Sequence, residues 1–360
     1  MVTPFDPMLI RDMEVKNRFM RSATTSYYAY EDGTVRDSAI TLYENLAKGG
    51  IGLIVKGHLY VAESAKAHQG MAGISSDIHI SRLKELTDKV HRHGAKIVAQ
   101  INHGGYRSTP DRIGPSEYKT SGWMARSLSG DEINNIIKSF GDAAERVMHA
   151  GFDGVQIHGA HGYLISQFLS NYVNKRDDKW GGSLEKRMRL LLEVYIEIRR
   201  RVGDYPVLLK MNCDDFYPNS FTVDESVEVS KAICEKGIDL IEVSGGGFEQ
   251  QHELELLAKH SDSELSEPDY AGYASMIRDA TRPTPLALVS GFETISAIRN
   301  VLGRGIADVI SLSRPFIREP SLVNEFKSGQ EEISCIRCNA CIGADVFGKT
   351  MLRCQLDESK

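Results

Sequence analysis

DGVQIHGAHGYLISQFL, Asp153 to Leu169, decides how the chain is to be read. Its first half is an apolar run of strand length and its second half is amphipathic, so His158, His161 and Tyr163 fall at a strand-to-helix junction. Three polar, titratable side chains gathered at one strand end mark that end as a candidate site.

Working outward, apolar runs and helical patterns alternate along the whole chain. The candidate strands are Phe19 to Ala23, Ile51 to Lys56, Lys96 to Ile101, Gly154 to His158, Val207 to Met211, Leu240 to Ser244, Leu286 to Ser290 and Asp308 to Leu312. Between them, segments such as SRLKELTDKVHRHG, DEINNIIKSFGDAAERVMHAG, SLEKRMRLLLEVYIEIRRRVG and DESVEVSKAICEKG carry helical periodicity and end at glycine. Eight strand-then-helix units with strands apolar on both faces predict an α/β fold, a (β/α)8 TIM barrel over residues 1–330. An open doubly wound sheet is disfavoured, because no glycine-rich dinucleotide fingerprint follows a strand. Residues 57–77, 103–129 and 246–267 interrupt the pattern after strand ends, where insertions shape substrate access.

A formal net charge of -6 over 360 residues, without long basic runs, argues against a nucleic-acid surface and leaves a small-molecule substrate. No stretch has the roughly 20 apolar residues of a membrane span, and MVTPFDPMLIRD lacks the apolar core of a signal peptide, so a cytoplasmic location is expected. Of six cysteines, Cys335, Cys338, Cys341 and Cys354 crowd the C-terminal extension, residues 331–360, and in a reducing compartment that clustering reads as a metal or cofactor site. Cys213 and Cys234 read as inert thiols. The charged runs at 175–178 and 199–201 read as solvated surface.

In a barrel the chemistry comes from strand ends. The first end offers Ala23, Thr24, Thr25 and Tyr27, the third Gln100, the fourth His158, His161 and Tyr163, and the fifth Lys210. Gly291 at the seventh and Ser313 with Arg314 at the eighth stand where barrels often hold a phosphate through backbone N–H groups.

HGAHGYLISQFLSNYVNKRDDKWGGSLEKRMRLL, NRFMRSATTS, Gln100 in AQINHGG and SLSRPF together resemble the Old Yellow Enzyme family of FMN-dependent oxidoreductases, over residues 1–330. CIRCNACIGADVFGKTMLRC extends the resemblance to the subgroup that includes 2,4-dienoyl-CoA reductase and trimethylamine dehydrogenase, where such cysteines hold a [4Fe-4S] cluster. The resemblance implies that His158 and His161 bind the substrate oxygen, that Tyr163 delivers a proton, and that Tyr27 faces the substrate. It gives Gln100 and Lys210 to the flavin's pyrimidine edge, Ala23, Thr24 and Thr25 to its lining, and Gly291, Ser313 and Arg314 to its phosphate. Two positions depart from the family pattern: Lys210 stands where most relatives carry arginine, and Ser313 where a glycine usually precedes the phosphate-binding arginine.

The implied activity is hydride transfer from FMN to an activated C=C bond of an α,β-unsaturated carbonyl or thioester. An amine dehydrogenase or demethylase passing electrons through the cluster is the competing enzyme, and an electron-transfer subunit of a larger complex the competing class. NAD(P)H or a partner protein is the implied electron source, and a homo-oligomer the implied assembly. A metal-dependent hydrolase is disfavoured, because the first strand end offers no histidine pair. Structural zinc remains the alternative for the cysteines, although three at two-residue spacing with a distant fourth suit a cubane.

Overall fold

All eight predicted strands form and lie side by side in one closed parallel barrel, in the computed structural model of residues 2–109, 111–247, 268–343 and 349–356. In chain order they are β1 (Phe19–Arg21), β2 (Leu53–Tyr60), β3 (Lys96–Asn102), β4 (Gly154–Gly159), β5 (Val207–Asn212), β6 (Leu240–Ser244), β7 (Leu286–Val289) and β8 (Val309–Leu312). Ile310 of β8 pairs with Phe19 of β1 and closes the ring. The helices of the surrounding layer are α1 (Asp37–Lys48), α2 (Ile80–His91), α3 (Gly130–His149), α4 (Arg189–Val202), α5 (Val223–Glu235), α6 (Ala271–Thr281) and α7 (Ile295–Gly303). The short helices Arg314–Arg318 and Leu322–Lys327 follow β8. The chain is thus a (β/α)8 TIM barrel.

Local signals explain the helices. Ser129 accepts from the Glu132 backbone N–H at 3.3 Å while the Ser129 N–H donates to Glu132 Oε2 at 2.8 Å, a reciprocal cap that starts α3. Ile133, Ile136, Ile137, Phe140, Ala144 and Val147 then recur at helical spacing and are buried against the barrel. Glycines at the predicted helix stops, Gly151 after α3 and Gly203 after α4 among them, take positive φ, which ends the helix without steric cost.

Inward-pointing residues alternate along each strand and stack in layers. The lowest layer is apolar: Met20, Leu53, Val55, Val98, Leu208, Leu240, Ala287 and Val309 pack with Ile10, Met13 and Val15. Those last three come from an antiparallel hairpin, Met8–Ile10 with Met13–Val15, that plugs the N-terminal end. Two residues further along the strands the layer turns polar, with Ser22, Gln100, Gln156, Lys210, Glu242 and Ser311. The barrel therefore has an apolar floor and a polar ceiling, and the ceiling faces the strand ends that hold the site.

The structure corrects two expectations. β2 runs to Tyr60, four residues past its predicted end, because a register shift between Lys56 and Leu59 lets the strand continue past Gly57 and His58. The interruption at 103–129 holds short strands at Ile113–Gly114, Tyr118–Lys119 and Met124–Ser127. The charged runs are not simply solvated. Arg176 donates to the carbonyls of Pro115 and Leu128 at 2.7 Å, and Arg199 pairs with the buried Asp239 at 2.7 Å. Residues 248–267 of the third predicted insertion lie outside the described residues. No helix among the described residues is long and apolar enough to cross a membrane.

Candidate active site

The strand ends enclose a cavity of about 350 Å³. Ala23, Thr24 and Thr25 after β1, Gln100 on β3, His158 on β4, His161 and Tyr163 beyond it, Lys210 on β5, and Ser313 with Arg314 after β8 all line it. Ten predicted site residues from five stretches of sequence thus share one cavity. Gly291 does not line it. It borders an adjoining pocket of about 80 Å³, together with Ser313 and Arg314. Tyr27 lines a neighbouring cleft with Thr25 and His58, its ring 4.4 Å from that of His68.

A buried polar network forms the cavity floor. Glu242, fully buried on β6, accepts from Ser22 Oγ and Ser311 Oγ at 2.7 Å each and from Gln156 Nε2 at 2.9 Å. Lys210 Nζ lies 3.3 Å from the same carboxylate and donates to Ser22 Oγ at 2.7 Å. A carboxylate only accepts, so Gln156 must turn its amide N–H toward Glu242 and its carbonyl toward Gln100, whose Nε2 donates at 2.8 Å. That orientation leaves the Gln100 carbonyl as an acceptor at the cavity wall.

The catalytic candidates stand above this floor. The ring centroids of His158 and His161 are 5.3 Å apart, and those of His158 and Tyr163 4.7 Å. His161 adopts φ +58°, and its Nε2 meets Ser244 Oγ at 2.7 Å. Its backbone N–H donates to Asn212 Oδ1 at 3.2 Å. Gly162 has to be glycine: a Cβ there would lie 2.1 Å from the Gly247 carbonyl oxygen, where the loops after β4 and β6 meet. Arg107 clamps the same junction by donating to the carbonyls of Gly162 and Gly247, with its guanidinium 5.7 Å from the Tyr163 ring centroid.

Two residues in contact with the catalytic candidates escaped the sequence reading, His58 and Arg107. His58 Nδ1 meets Asn102 Nδ2 at 2.8 Å, and its ring lies 5.0 Å from that of Tyr163. The available signal was the HLY that continues β2, a strand pattern after a glycine.

Burial holds His158, His161 and His58 well below the ordinary histidine value, and neighbouring charges add to it, Lys210 and Arg107 beside His161 and His158. All three are therefore neutral imidazoles at pH 7. The unfolded chain takes up protons at these positions below about pH 6.5 and the folded chain does not, so their contribution to stability falls as pH drops through that value. His158→Gln is expected to make the fall in unfolding free energy between pH 7 and 5 shallower by about one proton, measured by urea denaturation across that range. An unchanged slope would mean that His158 is protonated in the folded chain.

His158 Nδ1 is buried without a hydrogen-bond partner among the described residues. Buried polar atoms are normally satisfied; the cavity that His158 lines offers an amide, a lysine and hydroxyls, a donor set that fits a polar ligand such as a flavin with its substrate. At the adjoining pocket, Gly291 has φ +79°, and a Cβ there would lie 2.4 Å from Asp269 N, so the backbone itself forms the wall. Cys335, Cys338, Cys341 and Cys354 all line one small cleft beside Arg314 and Arg318. Left-handed residues at Arg337 and Asn339 curl the loop between its cysteines, a backbone form common around anionic clusters. No group of three or more His, Cys, Asp or Glu among the described residues is arranged around a single metal ion.

A TIM barrel with this polar cavity at its strand ends has the layout of an enzyme's active site. The profile of the NADH:flavin oxidoreductase / NADH oxidase family matches residues 4–332, and the chain belongs to that family. It is 34% identical to the NADH oxidase of Thermoanaerobacter brockii over 97% of this chain and 54% of that protein. It is 35% identical to the NADPH dehydrogenase of Geobacillus sp. (strain WCH70) over 88% of this chain and 91% of that one. A 2-naphthoyl-CoA reductase in complex with 2-naphthoyl-CoA superposes with a TM-score of 0.90 at 28% identity, covering 98% of this chain and 56% of the other. The chain thus spans about half the length of some of the proteins it matches and nearly all of others.

Proposed function

We propose that this chain reduces the activated C=C bond of an α,β-unsaturated carbonyl or thioester, with FMN as its cofactor. The observation that carries the reading is the neutral pair His158 and His161 beside Tyr163 on one wall of the cavity. FMN, when bound, supplies the hydride that adds to the β-carbon. As that bond forms, the π electrons move toward the carbonyl oxygen, and His158 and His161 donate hydrogen bonds to it. Neutral donors suit this task, because they stabilise the charge that develops without carrying a cation into the ground state. The Tyr163 hydroxyl gives its proton to the α-carbon and regains one from solvent.

Ala23, Thr24, Thr25, Gln100 and Lys210 would hold the flavin ring, and Gly291, Ser313 and Arg314 its phosphate. Lys210 would place a positive charge near the ring and so would favour the anionic reduced form. Tyr27 would border the substrate from its side cleft. NAD(P)H is the electron donor, as the names of the NADH oxidase and NADPH dehydrogenase relatives suggest. The four cysteines would hold a [4Fe-4S] cluster, a one-electron link to a partner protein. The thioester bound by the 2-naphthoyl-CoA reductase favours a thioester here as well.

The test is anaerobic purification followed by flavin, iron and sulfide analysis, then turnover with an α,β-unsaturated thioester. About one FMN with four iron and four sulfide per chain, and thioester reduction, are expected. Flavin without iron would leave the cysteines structural, oxidation of a secondary amine in place of alkene reduction would move the reaction class, and absence of flavin would defeat the proposal.

A further inference from the structure

The loop that carries three of the cysteines is also a wall of the phosphate pocket. Ser290, Gly291, Ser313 and Arg314 line that pocket from the barrel, and Cys335 and Arg337 line it from the extension. Arg314 borders the main cavity, this pocket and the cysteine cleft, and donates to Asn339 Oδ1 between Cys338 and Cys341.

Arg337 and Asp269 give this arrangement its consequence. Asp269 lies hard against the cradle: Ser290 Oγ donates to its Oδ2 at 2.8 Å, and a Cβ on Gly291 would come within 2.6 Å of its Cγ. A carboxylate so placed repels a phosphate dianion unless a cation neutralises it. Arg337 supplies that cation through a fork, Nη2 reaching Asp269 Oδ2 at 2.8 Å and Oδ1 at 3.1 Å, while Nη1 meets Glu293 Oε1 at 3.1 Å. Apolar packing does little to hold the loop. From residue 334 to 343 no side chain is buried, and Ile336 is 69% exposed. A group bound by the cysteines is what would fix it, as metals fix other small coreless segments.

We propose that Arg337 makes retention of the flavin phosphate conditional on a folded cysteine loop. The ordered loop lays Arg337 on Asp269 and cancels the carboxylate's repulsion, and a loop that has lost its cluster uncovers the carboxylate and loosens the flavin. The inference rests on the reading of the barrel face as an FMN site and of the cysteines as a cluster site.

The experiment is an FMN titration of the anaerobically purified full chain, followed by flavin fluorescence, with iron measured on each sample. Arg337→Ala is expected to raise the FMN dissociation constant about tenfold or more, the scale of one uncovered charge near a dianion. Asp269→Asn in the same chain is expected to restore it. Removing iron with a chelator should weaken FMN binding in the wild type and leave the single variant Asp269→Asn unaffected. Wild-type FMN affinity in Arg337→Ala overturns the inference, as does failure of Asp269→Asn to restore it. If Arg337→Ala does not fold, the single variant decides: Asp269→Asn that loses flavin on iron removal as readily as the wild type overturns the inference. A wild-type chain that binds neither FMN nor iron removes the flavin reading itself, a different result from a chain that binds both and ignores Arg337.

Discussion

Replacing Tyr163 with phenylalanine is expected to slow alkene reduction by roughly 10²–10⁴-fold, the usual contribution of a positioned general acid, while reduction of the flavin by NAD(P)H keeps its wild-type rate. The change removes one oxygen and keeps the ring, whose packing against His58 and His158 at centroid distances of 5.0 and 4.7 Å and against Arg107 stays available. The two half-reactions separate in stopped-flow measurements, because flavin reduction needs no proton from Tyr163 and alkene reduction does. Unchanged alkene reduction would remove the tyrosine from the proton-donor role. An equal loss in both halves would place it in cofactor binding.

Tyr163 could be found from the sequence because the signals that place it are local. An apolar strand, a glycine-spaced turn and an amphipathic helix follow one another within Asp153 to Leu169, and β4 forms over Gly154–Gly159 as that pattern demands. Parallel strands buried on both faces read as continuous apolar runs, which is why β6 occupies Leu240–Ser244 without a residue of error. The closure of the barrel was legible for the same reason, since strand-then-helix repetition leaves few alternatives.

What the sequence concealed depends on contacts between distant segments. His58 sits past Gly57, which breaks the apolar run of β2, so the apolar pattern alone stops before it. Only the pairing with β3 shows the strand continuing through the bulge. Arg107 lies in a loop after β3, and its partners, the carbonyls of Gly162 and Gly247, belong to two other loops. Gly291 was placed at the right strand end but faces the adjoining pocket and not the main cavity, a distinction set by the turn after β7. The cysteine spacing pointed to a cofactor, yet nothing in the spacing could say that Arg337 reaches Asp269, because residues 269 and 337 meet only when the extension folds back on the barrel.

Glu242 is the extreme case, a charge in the middle of LIEVS that looks misplaced until β1, β4, β5 and β8 bring it four donors. Glu242→Gln is expected to cost about 3–5 kcal/mol of unfolding free energy, the scale for breaking a buried ion pair from one side. The variant has nearly the same volume, so no cavity accounts for the loss. Lys210, only 3% exposed, loses its counter-charge, and the new amide presents N–H groups where Ser22, Ser311 and Gln156 already donate. Urea denaturation of the flavin-free chain checks the value, with the midpoint falling at an unchanged slope. Adding Lys210→Met should recover a large part of the loss, because it removes the uncompensated charge, and a double variant no more stable than Glu242→Gln alone would show that the hydroxyl and amide bonds, not the ion pair, hold the barrel's polar ceiling together. The same double variant should bind flavin poorly, since the residue that recovers stability is the one assigned to the ring. Stability and function would then part at a single lysine: the fold needs its charge balanced, and the site needs its charge present.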